Sequence, residues 1–588
     1  MSAPTDIHRH CIPTARVCII RLARTRYRLI SLLTARSTIA SLYASQHVRM
    51  RMGPRRVSSF SLRRRLTRIE HFPLSLPVTS LFVNVSDTRV REGENNRSRR
   101  VQRTLQIRRL QPIIQSNIII FIGDGMGIST ITAGRIFKGQ MKGTTGEEYK
   151  LAFEKFPNTG FAKTYNTDKQ VPDSAGTATA IFSGVKCRYK VIGLDTKASF
   201  NHCDEHIDKA SKVTTVADWA QQTGMATGFV TTTRITHATP AGLYAHVNNR
   251  DWECDNSIPK QYKDCVKDIA RQLVEDAPGN KFQVIMGGGA QHMGLPMDPV
   301  DPDTCVRTDG RNLADFWATN NPEGKIVTNA EQLFSVDIAN ASKILGVFAP
   351  SHLPYHALKT PEVPSLANMT TQAVRLLQKD KNGFLLMVES GKIDIAHHHN
   401  YAKLALRELS ELEDAILAAL QIVKLEETLI VVTADHSHSF TMNGYPTRGN
   451  DILGFANKEP IKPNTTFYET LTYANGPGFY HHRRNDSDNV NETWIPVEQD
   501  KTRGDPFYTH MAGMYLEDET HGGEDVGVYA IGPYSHLIRG TFEQNYIAHV
   551  VAYAACFKDW PSHCDHSYNR HDDGSAVALA PRAKFNLR

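Results

Sequence analysis

No lysine occurs among the first 110 of the 588 residues, although that stretch holds 23 arginines and only 5 acids. The leader alone therefore carries a net charge of +18, and everything after it carries −11, which the overall +7 conceals. An acidic folded part excludes nucleic acid as its main partner, because a basic surface is what a polyphosphate backbone demands. No pair of the nine cysteines forms a CxxC motif, which excludes a zinc ribbon. No apolar run approaches the roughly 18 residues of a membrane-spanning helix. The chain also lacks internal repeats and long low-complexity tracts. At its start "LFVNV" is too short for a secretory core and "CII" runs straight into Arg21, while "ALAPRAKFNLR" at its end lacks the hydrophobic tail of a lipid-anchor signal.

With those classes set aside, 40% hydrophobic and 22% charged residues describe an ordinary globular protein with a large core. Residues 1–110 read as an arginine-rich leader, disordered or misassigned to the chain, with the arginine, serine and low acid content of a mitochondrial transit peptide. Residues 111–576 read as the folded domain and 577–588 as a tail. The runs "NIIIFIGDG", "ATGFVTTT", "FQVIMGGG", "GFLLMVES" and "TLIVVTADHSH" are almost continuously apolar, as strands buried on both faces of a parallel sheet are. Between them "VTTVADWAQQT" and "YAKLALRELSELEDAILAALQIVK" have helical spacing. The fold class is therefore α/β, a doubly wound, mostly parallel sheet flanked by helices. Residues 443–519, rich in Gly, Pro, Asn and Thr, interrupt it as an irregular insertion before a last strand, "DVGVYAIGP".

Ligands of such sheets bind beyond the carboxyl ends of the strands. Those ends carry Asp124, His237, Glu389, Asp435 and His436. In "SGKIDIAHHHN", Asp394 and His398 stand at i and i+4, on one face of a helix and able to share one metal. In "TADHSHS" a carboxylate and an imidazole leave the same strand; the competing reading is a buried ion pair. "FIGDGMG" places Asp124 in a glycine turn that is not GxGxxG, and an acid there would repel phosphates unless a cation intervened. "HGGED" contributes His521. Ser174, in "VPDSAGTATA", is either a nucleophile or a helix cap.

Together these motifs, "DSAGTATA" and "TADHSH" above all, resemble the alkaline phosphatases of animals and bacteria, from about Gln111 to Cys564. The resemblance implies hydrolysis of phosphate monoesters through a phosphoserine at Ser174, at a site of two Zn²⁺ and one Mg²⁺. Asp394, His398 and His521 match the ligands of the first zinc. Asp435, His436 and Asp124 match those of the second. Asp124, Thr239 and Glu389 match the magnesium ligands, with His237 beside them. Arg250 matches the arginine that grips the phosphate, for which a planar guanidinium is suited and an ammonium is not. A cation beside a serine hydroxyl stabilises its alkoxide, so no Ser-His-Asp triad is needed.

Other expectations rest on the same resemblance. The disulfides Cys203–Cys265 and Cys556–Cys564 match family pairs, and Cys254 with Cys305 remains as a further pair. The additional calcium of animal members is not expected, because Val300, Ala349 and Val363 stand where its carboxylates would, with Phe348 retained. A homodimer is expected, though the amino-terminal helix used at the family's dimer contact is replaced by the leader. Five N-x-[ST] sequons within the acidic part, at Asn340, Asn368, Asn464, Asn485 and Asn491, and the disulfides favour an extracellular or cell-surface location, with membrane attachment only through a lipid anchor. Two rival readings keep the fold: a phosphodiesterase or sulfatase of the wider superfamily, and a catalytically silent binding protein.

Overall fold

The computed structural model describes residues 117–456, 468–482 and 500–557. The leader, the tail at 577–588, Cys564 and the sequons at Asn464, Asn485 and Asn491 lie outside the described residues.

The five apolar runs form β1 (Asn117–Gly123), β3 (Ala226–Arg234), β4 (Val284–Gly288), β7 (Phe384–Ser390) and β8 (Thr428–Ala434). They belong to a ten-stranded sheet completed by β2 (Asn158–Lys163), β5 (Lys325–Val327), β6 (Ile344–Val347), β13 (Val526–Ile531) and β14 (Gly540–Glu543). The order is β14-β2-β13-β8-β1-β7-β3-β4-β6-β5, and β13 alone runs antiparallel to its neighbours. Central β1 is buried along Ile118–Ile122, which explains its uninterrupted isoleucine and phenylalanine. Among the flanking helices are α1 (Ile128–Met141), α2 (Ser174–Ser183), α3 (Leu366–Leu377), α4 (Lys392–His398) and α5 (Ala402–Ile422).

Register explains why the chemistry gathers at one edge. Gly123 at the end of β1 pairs with Ser390 of β7 on one side and Ala434 of β8 on the other, so the three strands stop at the same height. The next residues, Asp124, Gly391 and Asp435, therefore emerge side by side. Gly125 then turns the chain with φ +68°, and a Cβ there would collide with the His438 ring, so glycine serves both the turn and the close approach.

The insertion is tied back at its start by a small antiparallel pair, β10 (Phe440–Met442), immediately before it, with β11 (Leu471–Tyr473) inside it. Just before it, β9 (Ser437–His438) pairs with β12 (His521–Gly522). No helix among the described residues is long and apolar enough to cross a membrane. Asn340 is exposed and Asn368 half-buried. Of the positions matched to the calcium site, Val300 is exposed, Val363 half-buried, and Phe348 and Ala349 are buried.

Cys203 is bonded to Cys265 and Cys254 to Cys305; Cys187 is a buried thiol. The two bonds close segments separated by 62 and 51 residues. Loops of that length restrict the unfolded chain by about 4 kcal/mol each at 25 °C. Serine replacement of both cysteines of either bond is thus expected to lower the unfolding free energy by about 4 kcal/mol. Chemical denaturation under non-reducing conditions checks this, and an unchanged midpoint would show that the bond does not restrain unfolding.

Candidate metal and phosphate site

Asp173, and not Ser174, caps α2. Its carboxylate accepts hydrogen bonds from the Ala175 amide (3.1 Å) and the Gly176 amide (3.3 Å). Ser174 is the first residue of the helix, with its Oγ 3.1 Å from Nε2 of His436. The choice between cap and nucleophile thus dissolves: a neighbour does the capping, and the serine hydroxyl is free to face the site. The helix amino terminus favours negative charge there.

Around Ser174 stand Asp435, whose Oδ2 is 3.3 Å from His436 Nε2, and Asp124, whose Oδ1 is 3.5 Å from the same nitrogen. Asp435 is held by the Thr177 hydroxyl (3.1 Å) and the Gly125 amide (3.1 Å). All three side chains are fully buried. Burial, then the charges of Asp435, Asp394 and Glu389, push the Asp124 carboxyl well above the usual carboxylate range. Burial also raises Asp435 and pulls His436 well down, the latter with help from His521, which stacks on it with centroids 3.6 Å apart.

Asp394 and His398 lie on α4 with the predicted i, i+4 geometry, Oδ2 to Nε2 3.4 Å. His521 approaches Asp394 Oδ1 at 3.3 Å, and its Nε2 is 3.2 Å from Nε2 of His398. The far nitrogens explain this contact. Nδ1–H of His521 donates to the Pro172 carbonyl (2.8 Å) and Nδ1–H of His398 to the Glu519 carbonyl (2.5 Å). Both Nε2 atoms then present lone pairs to each other and to a carboxylate, an arrangement that repels itself unless a cation lies among them.

A third group consists of Asp124, Glu389 and His237, with Thr239 on the short helix Ala238–Ala241. Glu389 Oε2 accepts from Thr231 (2.5 Å) and Thr233 (3.2 Å). Burial nevertheless raises its carboxyl to about 7. Both carboxylate oxygens of Asp124, Oε1 of Glu389, Oγ1 of Thr239 and Nδ1 of His237 are buried with no hydrogen-bond partner. Four of these five orphans are oxygens, the donor type that Mg²⁺ prefers. Arg250 completes the rim: Nη1 is 3.4 Å from Asp173 Oδ2, and Nη2 donates to His237 Nε2 at 3.0 Å.

The structure thus brings together every residue singled out from the sequence: Ser174, Arg250, Asp124, His237, Thr239, Glu389, Asp394, His398, Asp435, His436 and His521. It adds two that the sequence reading passed over. His438 bridges Asp394 Oδ1 (2.7 Å) and Glu519 Oε2 (2.5 Å). Burial lowers its pKa, but Glu519 and Asp394 outweigh that and hold it up at about 10. A cationic His438 therefore fixes the orientation of Asp394. Its signal was the His-x-His alternation after β8, legible only once β9 is paired with β12, which sets His438 opposite His521.

Comparison with known proteins identifies the family. Residues 115–557 match the alkaline phosphatase family. Alkaline phosphatase 4 of Drosophila melanogaster is 49% identical over 485 residues, covering 78% of this chain and 79% of the relative. The membrane-bound alkaline phosphatase of Bombyx mori is 41% identical over 449 residues, covering 75% and 80%. Among solved structures, a mutant of the TAB5 alkaline phosphatase with Mg bound in its M3 site covers 76% of this chain and all of its own, at 24% identity and a TM-score of 0.53. The chain belongs to the alkaline phosphatase family.

Proposed function

We propose that the chain hydrolyses phosphate monoesters by a two-step serine mechanism, with Asp394, His398 and His521 holding one Zn²⁺, Asp124, Asp435 and His436 a second, and Asp124, Thr239 and Glu389 one Mg²⁺. The observation that carries this reading is the Ser174 hydroxyl at a helix amino terminus, 3.1 Å from His436 and ringed by carboxylates and imidazole lone pairs that only cations reconcile. Bound there, the metals would act as Lewis acids toward the serine, leaving-group and water oxygens.

The chain's own residues supply the rest. Arg250 holds two non-bridging phosphoryl oxygens with its fork while Ser174 Oγ attacks phosphorus in line. The ester oxygen leaves on the opposite side, and the amino terminus of α2 favours the phosphoserine dianion. Water then attacks from the side the leaving group vacated, releasing inorganic phosphate and restoring the hydroxyl. Asp173 keeps both the helix terminus and Arg250 in place through one carboxylate.

Two in-line displacements retain configuration at phosphorus. A monoester made chiral with oxygen isotopes and transferred to an acceptor alcohol should therefore give retention, and acid quenching during turnover should leave label on Ser174. Inversion, with no label on the serine, would mean direct attack by water and end this reading. As for location, the exposed sequon at Asn340, the two disulfides and the membrane-bound relative support a glycosylated, extracellular or cell-surface protein. We also propose a homodimer, attached to membrane, if at all, by lipid. No calcium ligand set of carboxylates stands at 300, 349 and 363.

A further inference from the structure

Behind Arg250 lies a buried ionic knot that the chemistry above does not use. Glu253, three residues after Arg250, is 7% exposed. Its carboxylate accepts from Arg234 Nε (2.9 Å to Oε2) and Nη2 (2.6 Å to Oε1), a bidentate pair, and from the Thr236 hydroxyl (2.6 Å). His292, on the short helix Ala290–Met293 after β4, stands 3.7 Å away. Arg234 in turn donates through Nη1 to His352 Nε2 (2.5 Å) and approaches Ser351 Oγ (3.4 Å), both in the loop after β6. Its carbonyl accepts from the His237 amide (3.0 Å).

These contacts have a direction. Arg234 ends β3, and Thr236, His237 and Thr239 lie on the connection that follows it, Thr239 within the short helix Ala238–Ala241, whereas Arg250 and Glu253 lie close together further along the chain. Neighbouring Trp252 is buried, so the turn is anchored at its far end. Among the described residues Arg250 itself is held by Asp173, by His237 and by the Lys190 carbonyl, which accepts from its amide at 3.0 Å. A guanidinium grips phosphate well only if its plane is fixed, and displacements of about 1 Å at such groups can lower rates by two orders of magnitude.

We propose that Glu253 is a positioning residue for phosphate binding: through Arg234 and Thr236 it locks the turn bearing Arg250 to the β3 loop bearing His237 and Thr239. This rests on Arg250 being the phosphate-binding arginine. The test uses the metal-loaded protein and the inhibition constant of inorganic phosphate, read beside KM and kcat for 4-nitrophenyl phosphate. Glu253→Gln should raise both the inhibition constant and KM about tenfold while kcat changes less than threefold, because release of phosphate is eased as its grip loosens. Arg234→Gln should do the same, and the double variant should be no worse than the poorer single, as a shared interaction requires.

A purely structural knot would instead lower the melting temperature and leave the inhibition constant of the folded protein unchanged, which would overturn the proposal. Should Glu253→Gln fail to fold, Thr236→Val removes one hydrogen bond at nearly constant volume and should still raise the inhibition constant two- to threefold; no change there is equally decisive against it. Arg250→Ala separates the underlying reading. If it leaves phosphate inhibition intact, the assignment of Arg250 falls, whereas a weakened Arg250→Ala with an unaffected Glu253→Gln sinks only the positioning role.

Discussion

Alanine at Ser174 is expected to lower kcat for 4-nitrophenyl phosphate by about 10⁴-fold in the metal-loaded protein, with metal content and melting temperature unchanged. The size follows from removing the only atom that can carry the phosphoryl group between the two displacements. Water alone would then have to attack the bound ester, with Arg250 and the metals still in place, so a residual rate above solution is expected as well. The stability side follows from the local structure. Ser174 Oγ makes one contact, with His436, and the cap of α2 belongs to Asp173, so the mutation leaves the helix terminus satisfied. Steady-state kinetics with bound-metal analysis by mass spectrometry decide the matter. A loss below tenfold would transfer the nucleophilic role to water. A large loss accompanied by loss of metal would instead reveal Ser174 as a structural part of the metal cluster.

The central strands were legible because burial on both faces leaves no polar alternation to confuse, and β1, β3, β4, β7 and β8 fall on the five apolar runs. Strand β2, "NTGFAK", escaped that reading for the opposite reason: it lies near the sheet edge, alternates between buried and exposed positions and contains a glycine, so it resembles a loop. Strands β5 and β6 have three and four residues, too few for a period to register. At the site, residue types at strand ends could be read directly because strand ends in a parallel sheet converge. Their partners could not. Asp173 was not singled out although it, and not Ser174, caps the helix, and Glu519, 81 residues after His438, reaches it only because β9 and β12 pair. Glu253 is the extreme case: nothing local marks it, and its role comes from three loops meeting around one carboxylate.

Chelation is expected to abolish activity and to lower the melting temperature together, since the same ions that would polarise the ester also reconcile the buried charges. Each ion bound at a thousandfold excess over its dissociation constant stabilises the folded state by about 4 kcal/mol. Removing three would therefore outweigh any single disulfide described above. The pH dependence of reloading follows from the titrations. In the metal-free protein burial holds Glu389 protonated up to about 7, so it must surrender a proton before it can bind a cation, and burial raises Asp124 and Asp435 in the same direction. The imidazole of His436 behaves oppositely: burial drives its pKa down, so it is already neutral and imposes no such competition. Below pH 7, then, the affinity for the ion bound by Glu389 should fall about tenfold per pH unit on account of that residue alone, and more steeply where Asp124 is shared. Glu389→Gln removes that proton and should flatten the slope by about one unit while weakening binding at pH 8. Isothermal titration of the metal-free protein with Mg²⁺ and with Zn²⁺ in buffers of different ionisation enthalpy counts the released protons directly. Affinity independent of pH between 5 and 8, with no proton released, would mean that Glu389 is already ionised in the metal-free protein, whereas the absence of any binding heat would mean that the orphaned oxygens of Asp124 and Glu389 face no cation.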